Sequence, residues 1–277
     1  MRRRTWSRRT CSERALEKTF DARRFRTAAA HYLVGRPDYS PRLIRRVVDL
    51  CGLTRENRVL DLGCGPGLLA VALAPFARGV VGLDPEPEML RAAAARGAAP
   101  NVAWIEGSSY DLGPQFGKFF MTVMGRSFHW MDRADTLRRL DAMIEPGGVV
   151  VLFDDTYPKV PENAWRRGWR DAIERYSADD PVPSRSRAPD WVRHEAFLLD
   201  SAFDQLEEIS VIERRRVAAA TLVDRALSMS STTRARLGAR ADDLAREIRD
   251  LMDEVAPEGS VTEVIATSAL IARRPAT

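Results

Sequence analysis

The stretch that most restricts the fold of this 277-residue chain is Arg58 to Gly67, reading Arg-Val-Leu-Asp-Leu-Gly-Cys-Gly-Pro-Gly. Val59, Leu60 and Leu62 form a short apolar run of the kind that makes a strand buried on both faces. The run breaks into Gly63, Gly65 and Gly67. Leu68, Leu69, Val71, Ala72, Leu73 and Phe76 then continue as an apolar helix that has to lie against the sheet. A strand passing through glycines into a helix brings backbone close to a ligand with no Cβ in the way.

The glycine spacing separates two kinds of ligand. A dinucleotide fingerprint is G-x-G-x-x-G, and its third glycine falls here on Leu68. The pattern present is G-x-G-x-G, with Asp61 two residues ahead of the first glycine. This stretch resembles the first motif of the class I S-adenosylmethionine-dependent methyltransferases. The resemblance implies an α/β fold: a Rossmann-like, doubly wound, seven-stranded sheet, last strand antiparallel, with a helical substrate cap. It also implies that S-adenosyl-L-methionine is the cofactor and S-adenosyl-L-homocysteine the product. Asp61, Gly63, Cys64, Gly65 and Gly67 then lie at the cofactor's methionine moiety.

Downstream, Gly79 to Asp84 reads as the next parallel strand and ends in an acid seventeen residues after Gly67. An ionised carboxylate offers two acceptor oxygens, which suits the two ribose hydroxyls of an adenosine cofactor. The structural alternative is that Asp84 caps the helix beginning near Glu86. In the resemblance Pro85 and Met89 adjoin the same ligand.

Other segments extend the likeness. Tyr32, Arg36-Pro37 and Tyr39 resemble the N-terminal segment that in many small-molecule methyltransferases folds over the cofactor, placing Tyr32 and Arg36 beside it. Ser40-Pro41 is a helix start, Leu43, Ile44, Val47, Val48 and Leu50 give that helix an apolar face, and Gly52 ends it. Asn101 to Ile105 is the third strand, followed by Gly107, Ser108 and Ser109. Ser108 stands where the family usually has the acid that binds the adenine amino group. Phe119 to Met124 is the fourth strand. After it, Gly125-Arg126-Ser127-Phe128-His129-Trp130 resembles the family's Gly-Gln-x-Phe-His-Trp, with Arg126 for Gln. Asp132 caps the next helix, and the turn Pro146-Gly147-Gly148 leads into the fifth strand, 149–153.

The chain divides into an N-terminal arm and lid (1–40), a cofactor-binding core (41–155) and a helical cap insertion (156–204). The remainder (205–277) completes the sheet with strands six and seven, and carries a second helical cap segment at about 221–256. Trp165, Trp169, Ile173 and Tyr176 recur at helical spacing. Such a stripe is usually packing, but in this family an insertion here roofs the acceptor, so Trp165 and Trp169 join Phe128 and Trp130 as candidate pocket residues. His129 is the candidate general base, placed at the carboxyl end of the fourth strand.

Three cysteines without ligand spacing imply neither a disulfide framework nor a metal site. The net charge of +4 is spread along the chain apart from the Arg2 to Arg9 cluster, so charge alone does not point to nucleic acid. That cluster lacks the apolar stretch of a secretory signal, and no apolar run is long enough to span a bilayer. A cytoplasmic monomer or homodimer acting on a small-molecule methyl acceptor is expected, with no membrane and no nucleic-acid partner. Two alternatives stay open on the residues: a nucleic-acid methyltransferase, suggested by the arginines, and a non-catalytic protein that binds S-adenosylmethionine.

Overall fold

The computed structural model describes residues 25–97, 99–180 and 191–275. The arginine-rich tail and the Pro/Ser/Arg-rich stretch 181–190 lie outside them. In chain order the elements are α1 (Ala29–Gly35), α2 (Pro41–Cys51), β1 (Arg58–Leu62), α3 (Leu68–Leu73), β2 (Gly79–Asp84), α4 (Pro87–Ala95), β3 (Val102–Glu106), β4 (Phe119–Gly125) and α5 (Arg133–Met143). They continue with β5 (Ile144–Thr156), α6 (Arg166–Ser177), α7 (His194–Leu199), β6 (Gln205–Ala218), α8 (Thr221–Leu227), α9 (Arg234–Leu237), α10 (Arg240–Val255) and β7 (Ser260–Arg273).

The seven strands form one sheet in the order β3-β2-β1-β4-β5-β7-β6. All pairings from β3 to β5 are parallel, and β7 runs antiparallel to both β5 and β6. The strand order reverses between β1 and β4. That switch point, at the carboxyl ends of the strands, is where open α/β sheets leave a crevice for ligands.

Continuous apolar strands arise because successive residues serve opposite faces. Val59, Val149, Val151 and Phe153 pack under α2 and α3 with Leu43, Val47, Leu69 and Leu73. Leu60, Leu62, Val150 and Leu152 pack on the other face with Leu137 and Leu140 of α5. Full burial of each such side chain contributes about 1.5–3 kcal/mol. α2 is capped as expected: Ser40 accepts the Leu43 N–H, Pro41 is its first residue, and Gly52 ends it in the left-handed region.

Two elements differ from expectation. The Pro-Gly-Gly segment is an irregularity inside β5 rather than a turn before it: Phe119 pairs with Ile144 while Met121 pairs with Val149. Gly147 takes a positive φ of 74°, and a Cβ on Gly148 would stand 2.5 Å from the Phe120 carbonyl oxygen. The later part of the 156–204 insertion, expected as helical cap, contains only the short α7 among the described residues. Leu198 and Phe203 around it pack into the sheet cluster with α5, so this part of the insertion belongs to the core.

The cap is built from α6 and α8–α10. Trp169 and Ile173 meet Leu222, Leu227, Leu244 and Ile248 and close over Val217 and Val261 at the strand ends. One carboxylate binds this unit to the sheet. Glu263 of β7 is 0% exposed and accepts from Arg166 of α6 (2.8 Å), from Arg215 of β6 (2.9 Å) and from Arg225 of α8. Its removal would leave three arginines facing one another. Glu263→Ala is therefore expected to cost about 3–5 kcal/mol of stability, as when one partner of a buried ion pair is deleted. Denaturant unfolding measures this, and a change below about 1 kcal/mol, the range of an exposed pair, would mean that the cluster behaves energetically as a surface one.

Candidate active site

Each of the three glycines after β1 has a positive φ, 68° at Gly63, 52° at Gly65 and 79° at Gly67, but their surroundings differ. A Cβ on Gly63 would lie 2.7 Å from the Ser127 side chain, whose hydroxyl donates to the Leu62 carbonyl. A Cβ on Gly67 would lie 2.3 Å from the Trp104 ring. At Gly65 it would meet nothing within 4 Å, because this glycine faces the cavity.

The turn is held from below. The N–H groups of Gly63 and Cys64 both donate to the Leu83 carbonyl, at 2.8 and 3.1 Å. Asp84 accepts the Gly65 N–H on one oxygen (2.8 Å) and the Glu86 N–H on the other (2.9 Å). Glu86, not Asp84, is the N-cap of α4, while Asp84 holds the Glu86 N–H at the start of that helix. Asp61 accepts the Ala70 N–H at 2.9 Å, capping α3 from the strand because Gly67 has no side chain to do so. Burial pushes Asp61 up to about 7 and Asp84 up to about 6, against the lowering effect of the N–H groups they accept.

Above the turn is a cavity of about 1350 Å³. Most residues singled out in the sequence line it: Tyr32 and Arg36 from α1; Gly63 and Gly65; Asp84, Pro85 and Met89; Gly107, Ser108 and Ser109; Gly125, Arg126, Phe128, His129 and Trp130. Asp61 and Cys64 lie beneath, beside a water-sized pocket of about 20 Å³. Gly67 is turned to Trp104 and not to the cavity. Trp165 and Trp169 are not in it either. Their indole N–H groups donate to the Thr262 and Leu222 carbonyls, inside the cap, so the aromatic stripe is packing. The sequence reading missed Asp154, Trp191 and Met229, which do line the cavity. Only Asp154 carried a signal, as a carboxylate directly after the apolar β5 run, at a carboxyl strand end.

The two departures from the family pattern have local explanations. Ser108 donates from both its N–H (2.7 Å) and its hydroxyl (2.8 Å) to Asp111, so an acid is held three residues further on. Arg126, the one non-glycine residue with positive φ (55°) among the described residues, donates to the Tyr39 hydroxyl, to Asp155 and to the Pro37 carbonyl, at 3.0, 3.1 and 3.3 Å. It clamps β4 and β5 to the segment between α1 and α2. Of the histidines, His31 is bonded to Asp224 at 2.7 Å. His194 is pushed down to about 4 by burial and by Arg133, and stays neutral. Among the described residues no group of three His, Cys, Asp or Glu side chains is arranged to hold a metal, and no helix is long and apolar enough to cross a membrane.

Comparison with known proteins follows the same lines. Residues 59–148 match the family described as a methyltransferase domain. Over 183 residues the chain is 30% identical to an uncharacterized methyltransferase of Mycobacterium tuberculosis, covering 65% of this chain and 68% of that protein. Its fold matches a SAM-dependent methyltransferase from Geobacter sulfurreducens in complex with S-adenosyl-L-homocysteine, with a TM-score of 0.51 and 19% identity over 91% of this chain and 98% of the other. YjhP from E. coli gives a TM-score of 0.50 at 18% identity, over 91% and 100% of the two chains.

The unequal surroundings of the glycines separate fold from binding. Gly65→Ala incurs left-handed strain of about 1–2 kcal/mol. Gly67→Ala incurs the same strain and adds overpacking against Trp104 of about 1–3 kcal/mol. Urea unfolding of the two variants should therefore rank Gly67→Ala as the less stable, and the reverse order would mean that Trp104 yields freely.

Proposed function

The chain belongs to the class I S-adenosylmethionine-dependent methyltransferases, and we propose that it transfers the methyl group to a small organic acceptor held in the cavity above the glycine turn. The observation that carries this reading is the size of the cavity. At about 1350 Å³ it exceeds the roughly 300–1,000 Å³ typical of a single ligand site, which leaves room for an acceptor beside the cofactor.

The residues present fit the cofactor. Gly65 leaves open the space that a Cβ would fill, and Asp84 turns a buried carboxyl to the same space. In this reading Gly63 and Gly65 floor the methionine moiety, Arg36 and Tyr32 cover it, and Asp84 receives the ribose hydroxyls. Gly107, Ser108 and Ser109 border the adenine. When bound, S-adenosylmethionine supplies an electrophilic methyl group on a sulfonium. The chain's own contribution is to hold the acceptor in line with that group and to exclude water. For an acceptor that must lose a proton, His129 is the residue assigned to take it. His31 is engaged by Asp224, and His194, titrating near 4, is too weak a base. The buried free thiols of Cys51 and Cys64 support a reducing, cytoplasmic setting.

Asp84 makes cofactor binding depend on pH. Its folded value, about 6, lies above the ordinary 3.8. The folded chain therefore holds a proton more readily between those values, a stabilisation present below 3.8 and lost as pH rises through 6. Ribose hydroxyls donate to the ionised form, so their effect has the opposite sense. Calorimetric titration with S-adenosylhomocysteine should show affinity falling about tenfold from pH 7.5 to pH 5 as Asp84 is protonated, and Asp84→Asn should bind weakly with a flatter profile. A wild-type profile unchanged by Asp84→Asn would remove Asp84 from the ribose.

The acceptor class is tested by incubating the protein with methyl-labelled S-adenosylmethionine and a cell extract, then separating small molecules from macromolecules. Label is expected in the small-molecule fraction. Label confined to RNA, DNA or protein would overturn the small-acceptor reading.

A further inference from the structure

Among the charged side chains that line the cavity, Arg126 and Arg193 are in ion pairs, while Asp84, Glu86 and Asp154 form none among the described residues; Glu86 is buried and accepts the Glu88 N–H, which leaves Asp154 as the exposed carboxylate. Arg126 and Asp155 form a pair at 3.1 Å with both side chains about 10% exposed. Arg193 is paired with Glu195 next to it in the wall. Arg36 donates from its Nε to the Ser228 hydroxyl at 2.9 Å and belongs to the cofactor side with Tyr32. Asp84 is engaged by two backbone N–H groups. Asp154, at the carboxyl end of β5, accepts only the Asp155 N–H, at 2.8 Å, and forms no ion pair among the described residues. Its remaining oxygen is open to the cavity that Trp130, Trp191 and Met229 also line.

Asp154 is exposed within this partly apolar cavity, so its charge is available to a cation or strong donor that enters there. Arg126 and Arg36 are the nearest cations acting on Asp154. Arg126 is already saturated by Asp155, Tyr39 and Pro37, and Arg36 faces the carboxylate end of the cofactor in the reading above. The charge of Asp154 is therefore left to whatever shares the cavity with the cofactor. An anionic acceptor is repelled at this position, while a protonated amine gains an ion pair. The aromatic walls suit an apolar body and add cation–π attraction for the same charge.

Resting on the reading that cofactor and small acceptor share this cavity, we propose that Asp154 selects the acceptor, and that the acceptor carries an amine, protonated at neutral pH, on an aromatic or aliphatic body. Asp154 touches the substrate; Trp130 and Trp191 flank its apolar part.

The test uses the full chain saturated with S-adenosylhomocysteine and two isosteric pairs of probes, tryptamine with indole-3-propionate and phenethylamine with 3-phenylpropionate. Each amine is expected to bind at least about tenfold more tightly than its carboxylate partner, the order expected of one close charge pair. Asp154→Asn should erase most of that preference while S-adenosylhomocysteine binds as before, which also serves as the check on folding. Equal binding of the two members of a pair, no binding of either amine at millimolar concentration, or a preference that survives Asp154→Asn would each overturn the assignment. A variant that loses affinity for S-adenosylmethionine, keeps it for the neutral S-adenosylhomocysteine and retains the amine preference would show that Asp154 serves the sulfonium instead. Failure of the wild-type chain to bind S-adenosylhomocysteine at all would locate the error earlier, in the cofactor reading on which this one rests.

Discussion

Two buried carboxylates hold the turn to which the rest of the site is referred. Asp61 receives the N–H that opens α3, and Asp84 receives the N–H of Gly65 together with that of Glu86. Neither has a cationic partner among the described residues, and burial raises both pKa values, so each is held at some cost to the fold. That cost offsets a worse one. A strand-to-helix turn with three left-handed glycines exposes several backbone donors, and without internal acceptors they would be unsatisfied or the turn would open. Trp104 of β3 completes the arrangement from the side, covering Gly67 and Gly82, so that β1, β2 and β3 all bear on one loop.

How far this was legible in the sequence depends on what kind of signal each residue leaves. The strands of the parallel sheet announce themselves because burial on both faces demands unbroken apolar runs. Asp84 and the glycines are tied to those runs by short, fixed offsets. Ser40, Pro41 and Gly52 are local instructions that no distant contact can overrule. Partner choice leaves no such trace. The spacing of Trp165 and Trp169 specifies a helix face but not which surface receives it, and the cap core received it rather than the cavity. For the same reason α7 reads like a piece of cap yet packs on the sheet through Leu198 and Phe203. Gly67 reads in the sequence as part of the cofactor loop, but its neighbour is the Trp104 ring, which lies on β3 and leaves no local pattern around Gly67.

The departures at Ser108 and Arg126 illustrate a related point about substitution. Ser108 holds Asp111 through a reciprocal capping arrangement, and Asp111 does not itself line the cavity. Arg126 introduces a charge into the wall of a binding cavity, where an unpaired guanidinium would be unfavourable. Asp155, the Tyr39 hydroxyl and the Pro37 carbonyl absorb it, and its cation lies over the Tyr39 ring at 4.6 Å. The left-handed backbone at Arg126 is held in place by those same contacts. A residue that looks foreign to the site has become the fastening between two strand ends and the segment that leads from α1 to α2.

The roof of the cavity and the stability of the cap then share one support. Glu263 orients Arg225, and Arg225 donates from its Nε to the carbonyl of Gly35 at the end of α1. The approach is close enough that a Cβ on Gly35 would stand 2.2 Å from the Arg225 backbone nitrogen, so α1 packs directly on the backbone of α8. Arg36, bonded to Ser228, and His31, bonded to Asp224, fasten the same two helices from either side. Tyr32 and Arg36 face the cofactor half of the cavity from α1, while Met229 reaches it just beyond α8. Arg225 and Glu263 continue these contacts from α1 and α8 to α6 and β6. The cap is coupled to the site by buried charge rather than by the apolar contacts that build the cap itself, and this is why a carboxylate on the last strand bears on the geometry above the first.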